Sequence, residues 1–145
     1  MKKILILTAI SLISCRQYDL QIEKIKYYAR KHSTQEHLAL GLVREESNFN
    51  RLAVSGKNAK GLTQVIYKWH KSRCNLKSES DLLDEDINLD CGLSHLRELY
   101  LAEASIVVAL AKYNVGEGNY RKHERFRRIG HAYAARVLKH SKEYL

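Results

Sequence analysis

The chain has 145 residues, of which 45% are hydrophobic and 28% are charged, values that are ordinary for one globular domain with one core. It contains no proline, no low-complexity stretch and no internal repeat, which excludes a Pro-rich linker and a repeat array. A net charge of +9 indicates an anionic partner, such as nucleic acid, a membrane surface or an acidic polymer.

The first fifteen residues, MKKILILTAISLISC, have the pattern of an export signal. Two lysines give a basic start, and the apolar run over 4–13 is too short to cross a bilayer as a mature helix. The end of this segment, LISC, resembles the lipobox of bacterial lipoproteins, in which the cysteine is lipidated and becomes the mature N-terminus. We therefore predict a signal peptide at 1–14 and lipidation of Cys15, with an ordinary signal cut near Ser14 or Cys15 as the alternative.

The remaining chain, residues 15–145, is predicted to form one basic domain. Loss of 1–14 removes two lysines and no acid, so the net charge falls only from +9 to +7. Three cysteines is an odd number for an exported protein. If Cys15 carries lipid, Cys74 and Cys91 remain as a pair, and an oxidising compartment allows a disulfide between them. Two reduced, buried thiols are the alternative, and no spacing typical of a metal site is present.

Apolar residues recur at helical spacing along most of this domain. The segment STQE at 33–36 has the pattern of a capping box, with Ser33 as the N-cap of a helix. A second helix is predicted through Leu62, Val65, Ile66 and Trp69, at positions i, i+3, i+4 and i+7. Further helices are predicted at 19–31, 89–100, 104–114 and 131–145. No segment alternates as a strand does, so the predicted fold is mainly α-helical.

Two adjacent glutamates follow the predicted cap, and only one of them points towards the core. On a helical wheel, Glu46 falls in the middle of an apolar stripe, whereas Glu45 falls at its border. A buried carboxyl resists ionisation, so its pKa rises, which suits a general acid. We expect Glu45 to be a solvated helix acid. For Glu46 the alternatives are a neutralised carboxylate and a helix end in solvent.

Five segments resemble, in the same order, the soluble lytic transglycosylase family. They are ESNFN at 46–50, AVSGKNAKGLTQ at 53–64, NLDCG at 88–92, ALAKYNVGEGN at 109–119 and YAARV at 133–137. The family has a lysozyme-like domain and cleaves peptidoglycan. Since the resemblance covers about residues 20–140, it implies a lysozyme-like, mainly α single domain with a loop-rich active-site cleft.

The resemblance also implies roles for single residues. The Glu-Ser pair of the family falls on Glu46 and Ser47, so Glu46 is implied as the catalytic acid and base. Tyr113 is implied as a second catalytic residue that donates its hydroxyl towards Glu46 or the substrate. Ser47 and Gln64 are implied to bind N-acetyl or hydroxyl groups. Asn114 is placed by the resemblance at the substrate, with a structural amide that fixes the turn as the alternative.

The chain departs from the family's pattern at three of these positions. Thr63 stands where the family has a methionine near the sugar cleft, which implies altered packing at a subsite. Lys112 and Val115 replace small residues on either side of Tyr113 and its neighbour. The single tryptophan, Trp69, is expected in the core rather than as a platform for sugar.

The acids of the chain fit the reaction that the resemblance implies. Glycoside hydrolysis usually needs two carboxylates, but residues 47–78 contain no Asp or Glu. Lytic transglycosylases use one Glu, which first protonates the glycosidic oxygen and then accepts a proton from the 6-hydroxyl of muramic acid. Asp81, Asp84 or Asp86 folding back towards Glu46 is the remaining alternative.

The implied function is cleavage of the MurNAc-GlcNAc β-1,4 bond with formation of 1,6-anhydro-MurNAc ends and without a cofactor. The alternatives are a hydrolytic lysozyme and a non-catalytic wall-binding protein of the same fold. The implied partners are glycan strands, a membrane reached through lipid on Cys15, and a secretion, conjugation or phage apparatus. Nucleic acid is not expected, because the chain is predicted to be exported to the envelope or periplasm and carries no nucleic-acid motif.

Overall fold

The computed structural model describes the backbone of residues 2–145 and the side chains of residues 15–145. Within this range the chain forms seven α-helices and one two-stranded antiparallel sheet. The helices are α1 (Lys2–Lys31), α2 (Glu36–Ser47), α3 (Tyr67–His70), α4 (Glu85–Glu103), α5 (Ile106–Val115), α6 (Glu117–Lys122) and α7 (Glu124–Ser141). The strands are β1 (Ala59–Lys60) and β2 (Val65–Ile66), and Glu79–Leu83 and Lys142–Tyr144 form 3-10 turns. The prediction of a mainly α fold is confirmed.

The predicted signal peptide falls on residues 1–14, whose side chains lie outside the described residues, so this boundary stays a prediction. Cys15 is the first residue with a described side chain, and it is exposed and outside any disulfide. Among the helices of the described chain, none has the length and hydropathy needed to cross a membrane.

The predicted capping box at 33–36 is wrong, because Ser33 ends α1 instead of starting α2. Ser33 has a φ of 51°, in the left-handed region. Its N–H donates to Arg30 at 3.0 Å and the N–H of Thr34 donates to Ala29 at 2.8 Å, the two bonds of a Schellman cap. The helix α2 then begins at Glu36 without a side-chain cap.

The helix predicted from Leu62 to Trp69 is also wrong, apart from its last turn. Gly61 and Gln64 have φ values of 76° and 51°, which no helix accommodates. Val65 and Ile66 instead pair with β1, so the expectation of a chain without strands is corrected as well. Trp69 lies on the four-residue α3 with 69% of its surface exposed, so it is not a core residue.

The core lies where α2, α4 and α7 pack around α5, the helix predicted to be central. Ala109, Leu110 and Ala111 of α5 are fully buried. The axes of α2 and α7 come unusually close at Gly41, where a Cβ atom would lie 2.7 Å from the carbonyl oxygen of Val137. This close approach brings the last turn of α2, which carries both glutamates, directly against α7.

A second, smaller cluster of buried residues lies beneath the sheet. It contains Val65, Leu76, Leu82 and Cys91. Cys91 of α4 is bonded to Cys74, with 5.5 Å between the Cα atoms, so the predicted disulfide is confirmed. The bond joins the segment after α3 to the first half of α4.

Candidate active site

Glu46 lies on the last turn of α2 and receives a hydrogen bond from α7. The hydroxyl of Tyr133 donates to Glu46 Oε1. Tyr133 is 1% exposed, so the bond is shielded from solvent. Sequence reasoning had assigned this contact to Tyr113, although Tyr133 begins the YAARV segment of the family resemblance. That segment was the signal that could have identified Tyr133.

The surroundings of Glu46 keep its carboxyl protonated up to neutral pH. Burial raises the pKa of Glu46 to about 7, and the neighbouring Glu45 carboxylate raises it further. The Tyr133 hydrogen bond and the positive charge of Arg136 lower the pKa by a smaller amount. A carboxyl with this proton affinity can donate a proton near neutral pH and take it back.

Glu45 is not the solvated acid that the helical wheel predicted. Its side chain is 15% exposed and accepts a hydrogen bond from Arg136 Nε at 2.6 Å. His140 Nε2 lies 3.4 Å from its second oxygen. Both partners lie on α7, so the two adjacent glutamates contact the same helix with different chemistry: Glu46 meets a phenol, and Glu45 meets a cation.

Tyr113 approaches the site but bonds to the backbone. Its hydroxyl donates to the carbonyl oxygen of Thr63 at 2.7 Å. The pKa of Tyr113 is raised, chiefly by burial and then by the charge of Glu46. The predicted bond from Tyr113 to Glu46 is therefore made by Tyr133, and Tyr113 fixes the adjacent loop instead.

The loop at 61–64 is tied to Glu46 through Ser47 and is stiffened by Gln64. Ser47 Oγ lies 2.9 Å from the carbonyl oxygen of Leu62 and 3.1 Å from that of Val43. Gln64 Nε2 donates to the carbonyl oxygens of Gly61 at 3.0 Å and Ala53 at 3.2 Å. Within residues 15–145, the amide oxygen of Gln64 accepts no hydrogen bond, so it is the part of this side chain that can meet a ligand.

Thr63 is buried against α4 and does not line an open subsite, as its place in the family pattern had implied. Its hydroxyl lies 2.8 Å from Asn88 Oδ1, which also accepts from the N–H of Thr63 at 2.8 Å. A Cβ atom at Gly92 would lie 2.1 Å from Thr63 Oγ1, so only glycine leaves room for this contact. The amide of Asn88 also donates to Lys60 and Leu82, at 2.8 and 2.9 Å.

The helix α5 presents its two departures from the family in different ways. Lys112 is 4% exposed and pairs with Glu103, while Glu117 lies 3.5 Å away, so its charge is neutralised inside the fold. Asn114 is exposed and makes no side-chain hydrogen bond to the described residues. The turn after α5 is instead fixed by Asn119, whose amide donates to the Val115 carbonyl at 2.9 Å.

The three aspartates that offered a second carboxylate are all engaged away from Glu46. Asp81 accepts from the N–H of Lys77 at 2.7 Å. Asp84 caps α4 through the N–H of Ile87 at 3.0 Å, and Asp86 pairs with Lys24 at 3.1 Å. Glu45 is therefore the carboxylate that acts on Glu46 in the described chain, and it is held by Arg136.

One group of side chains has the composition of a metal site. Ligand-type atoms of His70, Cys74 and Cys91 lie within 4.8 Å of one another. The two sulfur atoms are bonded to each other, so neither is a thiolate that can bind a metal ion.

Comparison with known proteins gives matches over most of the chain. Residues 23–134 match the family model described as the transglycosylase SLT domain. The membrane-bound lytic murein transglycosylase C of Mannheimia succiniciproducens is 32% identical over 122 residues, which are 73% of this chain and 33% of that protein. Its counterpart in Actinobacillus succinogenes is 34% identical over 110 residues, which are 65% of this chain and 30% of that protein. The chain thus spans about a third of the length of the curated relatives it matches.

Solved structures show the same fold. The lytic transglycosylase Slt of Pseudomonas aeruginosa superposes with a TM-score of 0.69 at 24% identity, over 82% of this chain and 23% of that one. The 70 kDa soluble lytic transglycosylase of Escherichia coli gives a TM-score of 0.69 at 21% identity, with the same coverage. The predicted lysozyme-like fold and the family resemblance are both confirmed.

Proposed function

Because the chain belongs to the transglycosylase SLT domain family, we propose that it is a peptidoglycan lytic transglycosylase with Glu46 as its catalytic acid and base. The observation that carries this proposal is the state of Glu46. It is buried, it accepts a hydrogen bond from Tyr133, and its pKa is raised to about 7. The position has the proton affinity of a general acid and lacks a second carboxylate to serve as nucleophile or base.

The reaction needs one proton to move out and back. Protonated Glu46 gives its proton to the glycosidic oxygen between MurNAc and GlcNAc, the bond from that oxygen to the anomeric carbon breaks, and the GlcNAc end leaves. The Glu46 carboxylate then takes the proton of the MurNAc 6-hydroxyl, whose oxygen bonds to the same anomeric carbon. The product is a 1,6-anhydro ring, and no water is consumed. Tyr133 stabilises the carboxylate between the two steps.

The surrounding residues support the binding of sugar in this proposal. The open amide oxygen of Gln64 accepts a hydrogen bond from an N–H or a hydroxyl of the glycan. Asn114 offers an exposed amide at the end of α5. Ser47 and Tyr113 act at one remove, because their hydroxyl groups hold the carbonyl oxygens of Leu62 and Thr63 and so fix the loop that carries Gln64.

Analysis of the released fragments by mass spectrometry tests the proposal. The wild type is expected to release fragments with anhydro ends, while Glu46→Gln releases none and keeps the same unfolding temperature or a higher one. Glu45→Gln is the matched control and keeps most of the activity. Reducing ends in place of anhydro ends would identify a hydrolytic lysozyme. An active Glu46→Gln variant, or a dead Glu45→Gln variant, would contradict the assignment of the acid.

We also propose that the protein is exported and anchored by lipid on Cys15 after loss of residues 1–14. The basic start, the short apolar run and the LISC ending support this, and Cys15 is exposed. Anchoring would confine cleavage to wall close to the membrane, where a secretion, conjugation or phage apparatus would need an opening. Cells fed a fatty-acid probe are expected to label the wild type and not Cys15→Ser. An unlabelled wild type released in soluble form would leave only the ordinary signal peptide.

A further inference from the structure

Three aromatic rings form a row that starts beside the candidate active site. The ring of Tyr113 lies 5.4 Å from the imidazole of His95, which lies 4.7 Å from the imidazole of His70. The row therefore connects α5, α4 and α3. Tyr113 is close enough to Glu46 for the charge of that carboxyl to raise its pKa, so the inner end of the row lies at the site of the chemistry.

The two histidines are half-buried but keep their polar edges open. Among residues 15–145, no buried side-chain nitrogen or oxygen lacks a partner, and His95 makes no side-chain hydrogen bond, so its ring nitrogens reach solvent. His70 accepts from Arg73 Nε at its Nδ1 atom, at 3.4 Å, which leaves Nε2 as a donor. The row thus presents both hydrogen-bond donors and acceptors beside apolar ring surface.

Both imidazoles are uncharged at the pH of the envelope. Burial lowers the pKa of His95 to about 3, with His70 and Arg73 adding to the effect. Burial and then Arg73 lower the pKa of His70 to about 4. A neutral imidazole carries one donor and one acceptor, which matches the hydroxyl and N-acetyl groups of an amino sugar better than it matches an anion.

The positive charge beside the row also makes it a poor place for a cation. The guanidinium of Arg73 donates to the carbonyl oxygen of Cys91 at 2.6 Å and lies 3.8 Å from its sulfur atom. It is already paired with Glu98 and Ser94, both at 3.0 Å, so it has little capacity left for an anionic ligand. An uncharged, hydroxyl-rich ligand fits these surroundings.

We propose that His95, supported by His70, forms a binding subsite for an N-acetylhexosamine unit of the glycan strand. The open nitrogens of His95 hydrogen-bond to the sugar, and His70 packs against His95 and holds its ring against Tyr113. The subsite lies next to the unit that Glu46 attacks, because Tyr113 links the two. This inference rests on the proposed function, since it assigns one more contact to the same cleft.

Kinetics with purified glycan strands test the inference through a variant that keeps the ring and removes the nitrogens. His95→Phe is expected to raise KM about five- to tenfold, the order expected for the loss of one or two neutral hydrogen bonds, with kcat within about twofold. His37→Phe is the matched control, because His37 is a half-buried histidine in the first turn of α2, far from Glu46. It is expected to leave KM unchanged.

A binding measurement separates the two proposals. In the Glu46→Gln background, His95→Phe is expected to weaken binding of short N-acetylglucosamine oligosaccharides by the same factor. An unchanged KM and unchanged binding would overturn the inference, while anhydro products from the wild type would leave the proposed function standing. A wild type that makes no anhydro product would overturn both. If His95→Phe fails to fold, as unfolding temperature reports, His70→Phe serves in its place, with a smaller rise in KM expected and no rise contradicting the inference.

Discussion

At the scale of single residues, the proton affinity of Glu46 depends on three neighbours that act in opposite directions. Burial dominates, Glu45 adds to the rise in pKa, and Tyr133 and Arg136 reduce it. Since Glu45 and Arg136 are bonded to each other at 2.6 Å, the chain places opposing charges of nearly equal reach beside one acid. The pKa of Glu46 can therefore be moved either way by a single substitution that does not touch the acid.

The pH dependence of cleavage is expected to move in opposite directions in two variants. A general acid works only while protonated, so kcat/KM falls as pH rises through the Glu46 pKa, which is about 7. Glu45→Gln removes a charge that raises this pKa, so the falling limb moves to lower pH. Arg136→Gln removes a charge that lowers it, so the limb moves to higher pH. Profiles of kcat/KM against pH measure both shifts.

Arg128→Gln is the control for these profiles, because Arg128 is an exposed arginine on the same helix, α7. Its profile should superpose on that of the wild type. Shifts of the same sign in Glu45→Gln and Arg136→Gln would contradict the electrostatic account of Glu46.

The same pKa predicts how Glu46→Gln changes stability. The pKa of Glu46 is raised from 4.5 to about 7 in the folded chain, so folding favours the protonated form. The stability that Glu46 provides is complete below pH 4.5 and is lost as pH rises through 7. Glu46→Gln should therefore be more stable than the wild type at pH 8, by up to roughly 3 kcal/mol, with the difference shrinking towards pH 4. Urea unfolding at both pH values measures this, and a difference independent of pH would show that Glu46 is not perturbed.

At the scale of elements, the sequence predicted those helices whose periodic residues pack against one core. The pattern of α5 and of the second half of α7 was read correctly, because a long apolar stripe has few other ways to be buried. The segment 62–69 failed because its apolar residues are divided between two clusters: Leu62 enters the main core and Val65 the smaller one. Equal spacing does not distinguish these two destinations.

The candidate site was predicted to the same extent and for the same reason. The wheel placed Glu46 on the buried face of α2, and burial follows from that face alone. Which tyrosine reaches Glu46 depends on the approach of α7 at Gly41, a contact between segments about ninety residues apart in sequence that no local pattern encodes. The pairing of Glu45 with Arg136 depends on that same approach.

The loop at 59–66 is expected to depend on one buried amide. Asn88 bonds to the backbone of Lys60, Thr63 and Leu82, so Asn88→Ala leaves several buried polar groups without partners. We expect a loss of about 2–4 kcal/mol in the free energy of unfolding. A drop in kcat is expected as well, because the loop carries Gln64. Urea unfolding and glycan cleavage measure the two effects.

Asn119→Ala gives the comparison for this loss, because Asn119 is exposed and makes one bond to the backbone. It should cost less than about 1 kcal/mol. Equal losses for the two asparagines would show that the bonds of Asn88 do not hold the loop.

At the scale of the whole molecule, the disulfide is expected to matter more for stability than for chemistry. It joins residues 17 apart in sequence and closes a loop with few large apolar side chains, so its loss should cost roughly 3 kcal/mol. Reduction should lower the unfolding temperature while cleavage at 25 °C stays close to normal. The paired substitution of Cys74 and Cys91 by serine should reproduce the effect. Loss of activity without a change in unfolding temperature would contradict this order.

The position of Trp69 has a consequence for fluorescence spectroscopy. It is the only tryptophan in the chain, and its indole is exposed in the folded state, with Lys68 Nζ 4.9 Å from the ring centre. Its emission should already resemble that of an indole in water, so unfolding will change the spectrum very little. Circular dichroism is the better measure of unfolding for this protein. The emission of Trp69 will respond instead to whatever settles on the outer face of α3.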